Sequence, residues 1–162
     1  MSIMAGMTDQ GKPDFGIILL LADQEFVREL RAAMAALGFD DQGRSDGFVL
    51  RTLGAAPATI TALAERLEIS KQGAGQIVDD MELRGYVERR PDPTDGRARL
   101  LHLSERGRAA LAAARRFHRA YERKLRKTHG DMVIDAVREV LTAMAGEEQT
   151  ANPHFRALVD PR

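Results

Sequence analysis

Apolar residues in the N-terminal part of the chain recur at steps of three and four, which is the spacing of one helical face. This pattern predicts a helix over about residues 14–37. The segment FDDQGRSDG that follows is polar and rich in glycine, so it predicts a loop. Ser45 is placed to cap a short second helix, which Gly54 and Pro57 end. The pattern therefore predicts two helices on either side of one polar loop.

Two further helices are predicted close together between residues 59 and 85. Thr59 can cap the first of them, and Ser70 can cap the second, which Gly85 ends. Only Glu68 and Ile69 separate the two helices, so the helices must cross sharply. This spacing is that of a helix-turn-helix.

After these helices the pattern changes to two short strand-like segments around a charged turn. The strands are predicted over about residues 86–90 and 99–103. The turn over residues 91–97 contains two prolines and a glycine, which favour a turn and disfavour a continuing ladder. The order is therefore a helix-turn-helix followed by a β-hairpin, the two parts that together can grip duplex DNA.

The C-terminal part of the chain is predicted to be helical. Ser104 can cap a long amphipathic helix that runs to about residue 127, and Gly130 breaks the pattern. A last helix is predicted over about residues 131–145. For the tail over residues 146–162 two alternatives stay open: a loose tail, or packing of its HFRALV stretch on a partner.

Charge is distributed unevenly along the chain, although the formal net charge is zero. Residues 84–127 carry fourteen Lys or Arg against five Asp or Glu, whereas residues 1–83 carry seven against thirteen. Such a segregated basic segment is the electrostatic footprint of a nucleic-acid-binding face. A long solvated helix that is rich in arginine is the alternative.

The composition excludes several other classes of protein. The longest apolar run, residues 15–22, is far shorter than the roughly 20 residues of a membrane-spanning helix, so no membrane association is expected. The absence of cysteine excludes a disulfide framework and a thiolate metal site. The N-terminal sequence contains no recognisable secretory signal, so we expect a cytoplasmic protein.

The stretch TITALAERLEISKQGAGQIVDDMELRGYVERRPDPTDGRARLLHLSERG, from Thr59 to Gly107, closely resembles the MarR family of bacterial transcriptional regulators. The most specific part of the resemblance is the hairpin, or wing, with Asp95 and Arg97 in the D-x-R pattern of the family. The helix start LSERG follows it. The resemblance implies a mainly α fold with a small β-hairpin wing, that is, a winged helix-turn-helix together with a helical dimerisation region.

The resemblance also implies a domain organisation and an assembly. Residues 45–103 would form the winged helix-turn-helix, residues 14–37 and 104–145 the dimerisation region, and residues 146–162 its tail, with residues 1–13 expected to be flexible. The chain would act as an obligate homodimer with one winged helix per subunit on a palindromic operator in double-stranded DNA. We therefore expect a sequence-specific transcriptional regulator, with repression as the expected mode.

The first turn of the helix that begins after Ser70 is expected to enter the major groove, since recognition helices contact bases through their N-terminal residues. Ser70 and Lys71 suit phosphate oxygens near the positive end of the helix. Gln72 and Gln76 lie four residues apart on one face, and either amide can pair with N6 and N7 of adenine. Simple exposure of both glutamines to solvent is the alternative.

In the wing, Arg97 is expected to reach the minor groove or its phosphate wall, and Arg99 the adjacent backbone. Phosphate repels Asp95, so its expected role is to orient the wing by holding the Arg97 guanidinium through a charge-assisted hydrogen bond. A turn-capping Asp95 beside a solvated arginine is the alternative. The full set of expected DNA-binding residues is Thr59, Ser70, Lys71, Gln72, Gly73, Gln76, Arg97 and Arg99.

Three glycines depart from the expected pattern. Gly96 lies where the family often has a second basic residue, which predicts a weaker grip of the wing on phosphate. Gly73 and Gly75 lie inside the recognition helix, where each costs roughly 1 kcal/mol relative to alanine. Close approach of the backbone to DNA would compensate for this cost, because a missing Cβ allows it. The alternative is that both are tolerated surface positions.

Members of the family commonly bind a small aromatic or amphipathic molecule between the dimerisation helices and the winged helix. The resemblance implies four candidates for such an effector pocket: Phe26, Phe48, Phe117 and Tyr121. Packing in the core is the alternative for each of them. A bound effector would favour a dimer whose recognition helices no longer match one helical turn of DNA.

The sequence carries no motif of an enzyme, so no catalytic residue and no cofactor is expected. His118 and Glu122 have the helical spacing of two metal ligands, but no third ligand is near in sequence, so no metal is expected. The competing interpretation is a winged-helix dimer that serves as a protein-interaction or ligand-binding module without binding DNA. The basic wing and the well-defined start of the recognition helix argue against it.

Overall fold

The computed structural model describes residues 12–146. Over these residues the chain forms six helices and one antiparallel hairpin, which confirms the mainly α fold with a small β wing. The elements are α1 (Phe15–Ala35), α2 (Asp46–Ala55), α3 (Ile60–Leu67), α4 (Lys71–Leu83), β1 (Val87–Pro91), β2 (Arg99–Leu103), α5 (Glu105–His129) and α6 (Asp131–Ala145). The predicted flexibility of the N-terminal residues before Lys12 and both alternatives for the tail after Gly146 lie outside the described residues.

The chain divides into two compact units, one ending at Asp40 and the other beginning at Asp41. The described part of the first unit is built on α1, which exposes several large apolar side chains: Phe15, Ile17, Ile18, Leu20 and Leu21. None of the helices in the described part of the chain is both long enough and apolar enough to cross a bilayer.

The second unit contains the predicted helix-turn-helix. Helices α3 and α4 pack against each other, and Leu63, Ala74 and Val78 are fully buried between the elements of this unit. The chain reverses at Glu68, whose φ of 54° lies in the left-handed region. The Ile69 amide then donates to the carbonyl of Ala64 at 3.0 Å, which closes the end of α3. A tight turn with one left-handed residue therefore joins the two helices.

Strands β1 and β2 pair antiparallel from Val87 opposite Leu103 to Pro91 opposite Arg99. The loop before α3 also joins this sheet through Ala58. Its amide donates to the Leu101 carbonyl at 3.3 Å, and the Leu101 amide donates back at 2.8 Å. This bridge ties the wing to the helix-turn-helix and was not predicted from the sequence.

The predicted cap of α2 is wrong in one respect. Ser45 precedes the helix, but its side chain makes no capping hydrogen bond. The first turn is instead held by Asp46, which is 2% exposed. Its carboxylate accepts from the Gly43 amide at 2.9 Å and from the Arg84 guanidinium at 2.6 Å. A partly buried ion pair with a residue 38 positions away therefore holds this turn, where the sequence predicted a local serine cap.

Candidate nucleic-acid interface

The start of α4 has the geometry predicted for a recognition helix. Ser70 is extended (φ −65°, ψ 150°), and its hydroxyl accepts a hydrogen bond from the Gly73 amide at 3.0 Å. Lys71 and Gln72 follow in the first turn, and both are exposed. The helix therefore begins in solvent, with its positive end and a lysine at the surface.

The two predicted base-reading glutamines share one exposed face of α4. Ala74, Val78 and Met81 are fully buried, so they define the inner face of the helix. At 100° per residue, Gln72 and Gln76 lie on the opposite side, and both are exposed. Their amides are available to an external ligand, although the base contacts themselves stay a prediction.

Thr59 caps the N-terminus of α3. Its hydroxyl accepts a hydrogen bond from the Ala62 amide at 3.2 Å, so it caps α3 as the sequence predicts. The residue is partly exposed. A contact of Thr59 with phosphate stays a prediction.

Side chains of the wing turn brace the backbone of the same turn. Asp92 accepts from the amide and the hydroxyl of Thr94 at 2.8 and 2.7 Å, and these bonds lower the pKa of Asp92. Asp95 accepts from the backbone amide of Arg97 at 3.0 Å. This is the turn-capping arrangement, since the hydrogen bonds of the described residues include none from the Arg97 guanidinium to Asp95. Asp95 thus caps the backbone of the turn, and a role in orienting the wing on DNA stays a prediction.

The arginines of the hairpin fall into two groups. Arg89 forms ion pairs with Asp79 and Glu82 of α4, and Arg90 forms one with Glu88 of its own strand. Arg97 and Arg99 are exposed and, among the described residues, have no carboxylate at ion-pair distance. The same holds for Lys71 at the start of α4. The sequence predicted the basic wing but did not show which of its charges are neutralised.

A buried aromatic ring stands where α4, the wing and α5 meet. Tyr86 is fully buried, and its hydroxyl donates to the Asp41 carboxylate. Burial is the main cause that raises the pKa of Tyr86, and the hydrogen bond to Asp41 raises it further. The same hydrogen bond from Tyr86, together with the nearby Arg106, lowers the pKa of Asp41.

Two arginines flank this ring. The guanidinium carbon of Arg106 lies 4.4 Å from the Tyr86 ring centroid, and that of Arg84 lies 5.6 Å away. Arg84 also binds Asp46 and Asp80, which raise the pKa of its guanidinium. This cluster fixes the end of the recognition helix relative to the root of the wing. Sequence reasoning missed it, because its members come from four separate segments.

The structure brings together two of the four predicted effector-pocket residues. The rings of Phe117 and Tyr121 on α5 lie 5.7 Å apart, tilted by 34°. Phe48 on α2 is exposed at 52%, so it does not serve the core of the described chain. Phe26 lies on α1, in the other compact unit. A pocket formed by all four residues stays a prediction.

A contact near these rings was not predicted. The guanidinium of Arg51 on α2 lies 2.8 Å from the His118 ring nitrogen on α5. Burial lowers the pKa of His118, and the positive charge of Arg51 lowers it further. Glu122, one turn beyond His118, binds Arg126 and Arg138 at 2.9 and 2.8 Å. In the described part of the chain, no group of three potential ligands is placed to hold a metal.

The chain is similar to several transcriptional regulators. The sequence profile of the MarR family matches residues 43–98. The chain is 30% identical over 110 residues to the exopolysaccharide II synthesis transcriptional activator ExpG of Rhizobium meliloti, a match that covers 68% of this chain and 56% of that protein. The chain thus spans little more than half of ExpG. It is 26% identical over 166 residues to the HTH-type transcriptional regulator PetP of Rhodobacter capsulatus, covering 95% of this chain and 99% of PetP.

A solved structure with the same fold is the transcriptional repressor CouR bound to a 23-mer DNA duplex. The TM-score is 0.63 at 27% identity, and the match covers 82% of this chain and 92% of CouR. All three of these relatives are described as regulators, activators or repressors of transcription.

Proposed function

Because the sequence profile of the MarR family matches residues 43–98, we propose that the chain is a homodimeric, sequence-specific regulator of transcription that binds a palindromic operator in double-stranded DNA. Repression is the proposed mode, and the bacterial cytoplasm is the proposed location. The observation that carries the proposal is a set of exposed cations on the start of the recognition helix and on the wing that have no ion pair with any residue from 12 to 146: Lys71, Arg97 and Arg99. Exposed cations of this kind can each neutralise a phosphate.

The apolar surface of two helices supports the homodimer. Helix α1 exposes the five apolar side chains named above, and α6 exposes six more: Met132, Val133, Val137, Val140, Leu141 and Met144. Several large exposed apolar side chains on one helix are characteristic of interfaces. We assign dimerisation to residues 14–37 and 104–145 and DNA binding to residues 45–103, as the resemblance implies.

We further propose that a small aromatic or amphipathic effector controls the dimer. The neighbouring rings of Phe117 and Tyr121 support an aromatic lining, and the resemblance adds Phe26 and Phe48 as further candidates. The effector would favour a dimer whose recognition helices are no longer about 34–36 Å apart, the span of one DNA turn. Operator affinity that no candidate effector changes would contradict this part of the proposal.

Fluorescence anisotropy with the intergenic DNA beside the gene of this protein tests DNA binding. We expect saturable nanomolar binding that weakens steeply as salt rises. Arg97→Ala should weaken binding to all sequences about equally and reduce the salt slope by about one, because one phosphate contact is lost. Arg28→Ala is the matched control, since Arg28 is an exposed arginine of α1 that pairs with Glu25.

Two results would count against the proposal. An unchanged salt slope in Arg97→Ala would exclude a phosphate contact of the wing. A well-folded dimer that binds no duplex, even after genome-wide selection, would favour a winged helix that serves protein interaction or ligand binding without DNA.

A further inference from the structure

Gly75 lies in the middle of α4, in a regular helix that runs from Lys71 to Leu83. An interior glycine destabilises a helix relative to alanine, so a recurring reason for such a glycine is a neighbour that needs the space. An ideal Cβ built on Gly75 meets no other part of the described chain within 4 Å. The described part of the protein therefore supplies no steric reason for this glycine.

The position of Gly75 points to an external neighbour. Ala74 and Val78 mark the buried face of α4, and Gln72 and Gln76 mark the exposed face. At 100° per residue, Gly75 lies at the edge of the exposed face, one turn after Gln72 and directly before Gln76. Its bare backbone therefore flanks the two amides proposed to read bases.

The chemistry of the major groove identifies the neighbour. A glutamine that pairs with N6 and N7 of adenine selects an A·T pair, and the thymine of that pair displays its C5-methyl group in the same groove. We propose that Gly75 is a specificity-determining position, whose missing side chain makes room for the C5-methyl group of a thymine beside the base read by Gln72 or Gln76. This inference rests on the proposed binding of DNA.

The other interior glycine of α4 has a reason within the protein. A Cβ at Gly73 would lie 3.2 Å from the Ser70 hydroxyl oxygen, which accepts the capping hydrogen bond from the Gly73 amide. A substitution there would disturb the cap and the groove face together. Gly75 is therefore the position at which the inference can be tested cleanly.

The test uses a duplex selected from a random-sequence pool by the wild-type protein. Gly75→Ala is compared with Gly47→Ala, since an ideal Cβ at Gly47 on α2 also meets nothing within 4 Å of the described chain. Both variants should unfold at higher urea than wild type. Gly47→Ala should bind the selected duplex as wild type does, whereas Gly75→Ala should bind it at least about tenfold more weakly. Affinity for a non-specific duplex should be unchanged.

A second arm replaces the thymines of the half-site one at a time by deoxyuridine, which lacks the methyl group. At one position this replacement should restore most of the affinity that Gly75→Ala loses, because the new methyl on the protein takes the place of the one removed from the DNA. Equal binding by Gly75→Ala and wild type would overturn the inference. A loss that no deoxyuridine restores, or a selected half-site without an A·T pair, would overturn it as well. If the wild-type protein selects no duplex, the proposed function itself fails.

Discussion

Among the glycines in the described part of the chain, Gly107 is the one at which an added Cβ would meet the shortest contact, so Gly107→Ala is expected to be strongly destabilising. Gly107 lies in the first turn of α5, and its ideal Cβ would stand 2.1 Å from the Tyr86 carbonyl oxygen and 3.1 Å from the carbonyl carbon. Since carbon and oxygen approach to about 3.3 Å even in close contacts, the overlap exceeds about 1 Å. Both atoms of Tyr86 belong to the backbone, and a Cβ is fixed to its own backbone, so no change of rotamer can relieve the overlap.

Neither side of this contact can move freely. The Tyr86 carbonyl accepts a hydrogen bond from the Ser104 amide at 3.0 Å, and the Gly107 amide donates to the Ser104 hydroxyl at 3.0 Å. Overpacking costs about 1–3 kcal/mol, and a lost hydrogen bond costs about 1 kcal/mol more. The helical preference of alanine offsets up to about 1 kcal/mol. Together these terms predict that Gly107→Ala lowers the free energy of unfolding by about 1–4 kcal/mol.

Urea unfolding followed by far-ultraviolet circular dichroism, at one fixed protein concentration, measures this change as a shift in midpoint. Gly47→Ala is the control, because the same substitution in open space should raise the free energy of unfolding by up to about 1 kcal/mol. If Gly107→Ala proved as stable as wild type or the control, the close approach of α5 to Tyr86 would be refuted.

Two further predictions follow from the cluster around Tyr86 and from the exposed face of α6. The pKa of Asp41 is lowered from its ordinary value of 3.8, so the ionised carboxylate stabilises the fold at any pH above 3.8. This contribution to stability is lost as the pH falls through the lowered pKa. The difference in urea midpoint between wild type and Tyr86→Phe should therefore shrink towards acid pH; a difference that stays constant down to pH about 2 would contradict the assignment. Leu141→Asp should convert the proposed dimer to monomer in sedimentation velocity, since it places a charge on an apolar interface; an intact dimer would exclude Leu141 from that interface.

Local signals in the sequence determined the secondary structure closely. The predicted second strand and last helix coincide with β2 and α6. Thr59, Ser70 and Ser104 cap their helices as predicted. These features depend on residues within one turn or one strand of each other, so the local sequence is enough to predict them.

The candidate site was predictable only in part. The exposed glutamine face of α4 followed from helical spacing, because the period places Gln72 and Gln76 opposite the buried face whatever the tertiary fold. The sequence did not show which arginines of the wing form ion pairs, since Arg89 and Arg97 look alike in the sequence. Packing gives Arg89 two acidic partners on α4 and leaves Arg97 at the surface.

Only the tertiary structure decided the contacts between distant segments. Asp46, and not Ser45, holds the first turn of α2, because the guanidinium of Arg84, 38 residues away in sequence, donates a hydrogen bond to the Asp46 carboxylate. Position 107 has no room for a Cβ because the backbone carbonyl of Tyr86 lies close to the first turn of α5. A serine cap or a helical period depends only on neighbouring residues. An ion pair or a close backbone approach between distant segments depends on how the tertiary structure packs them together.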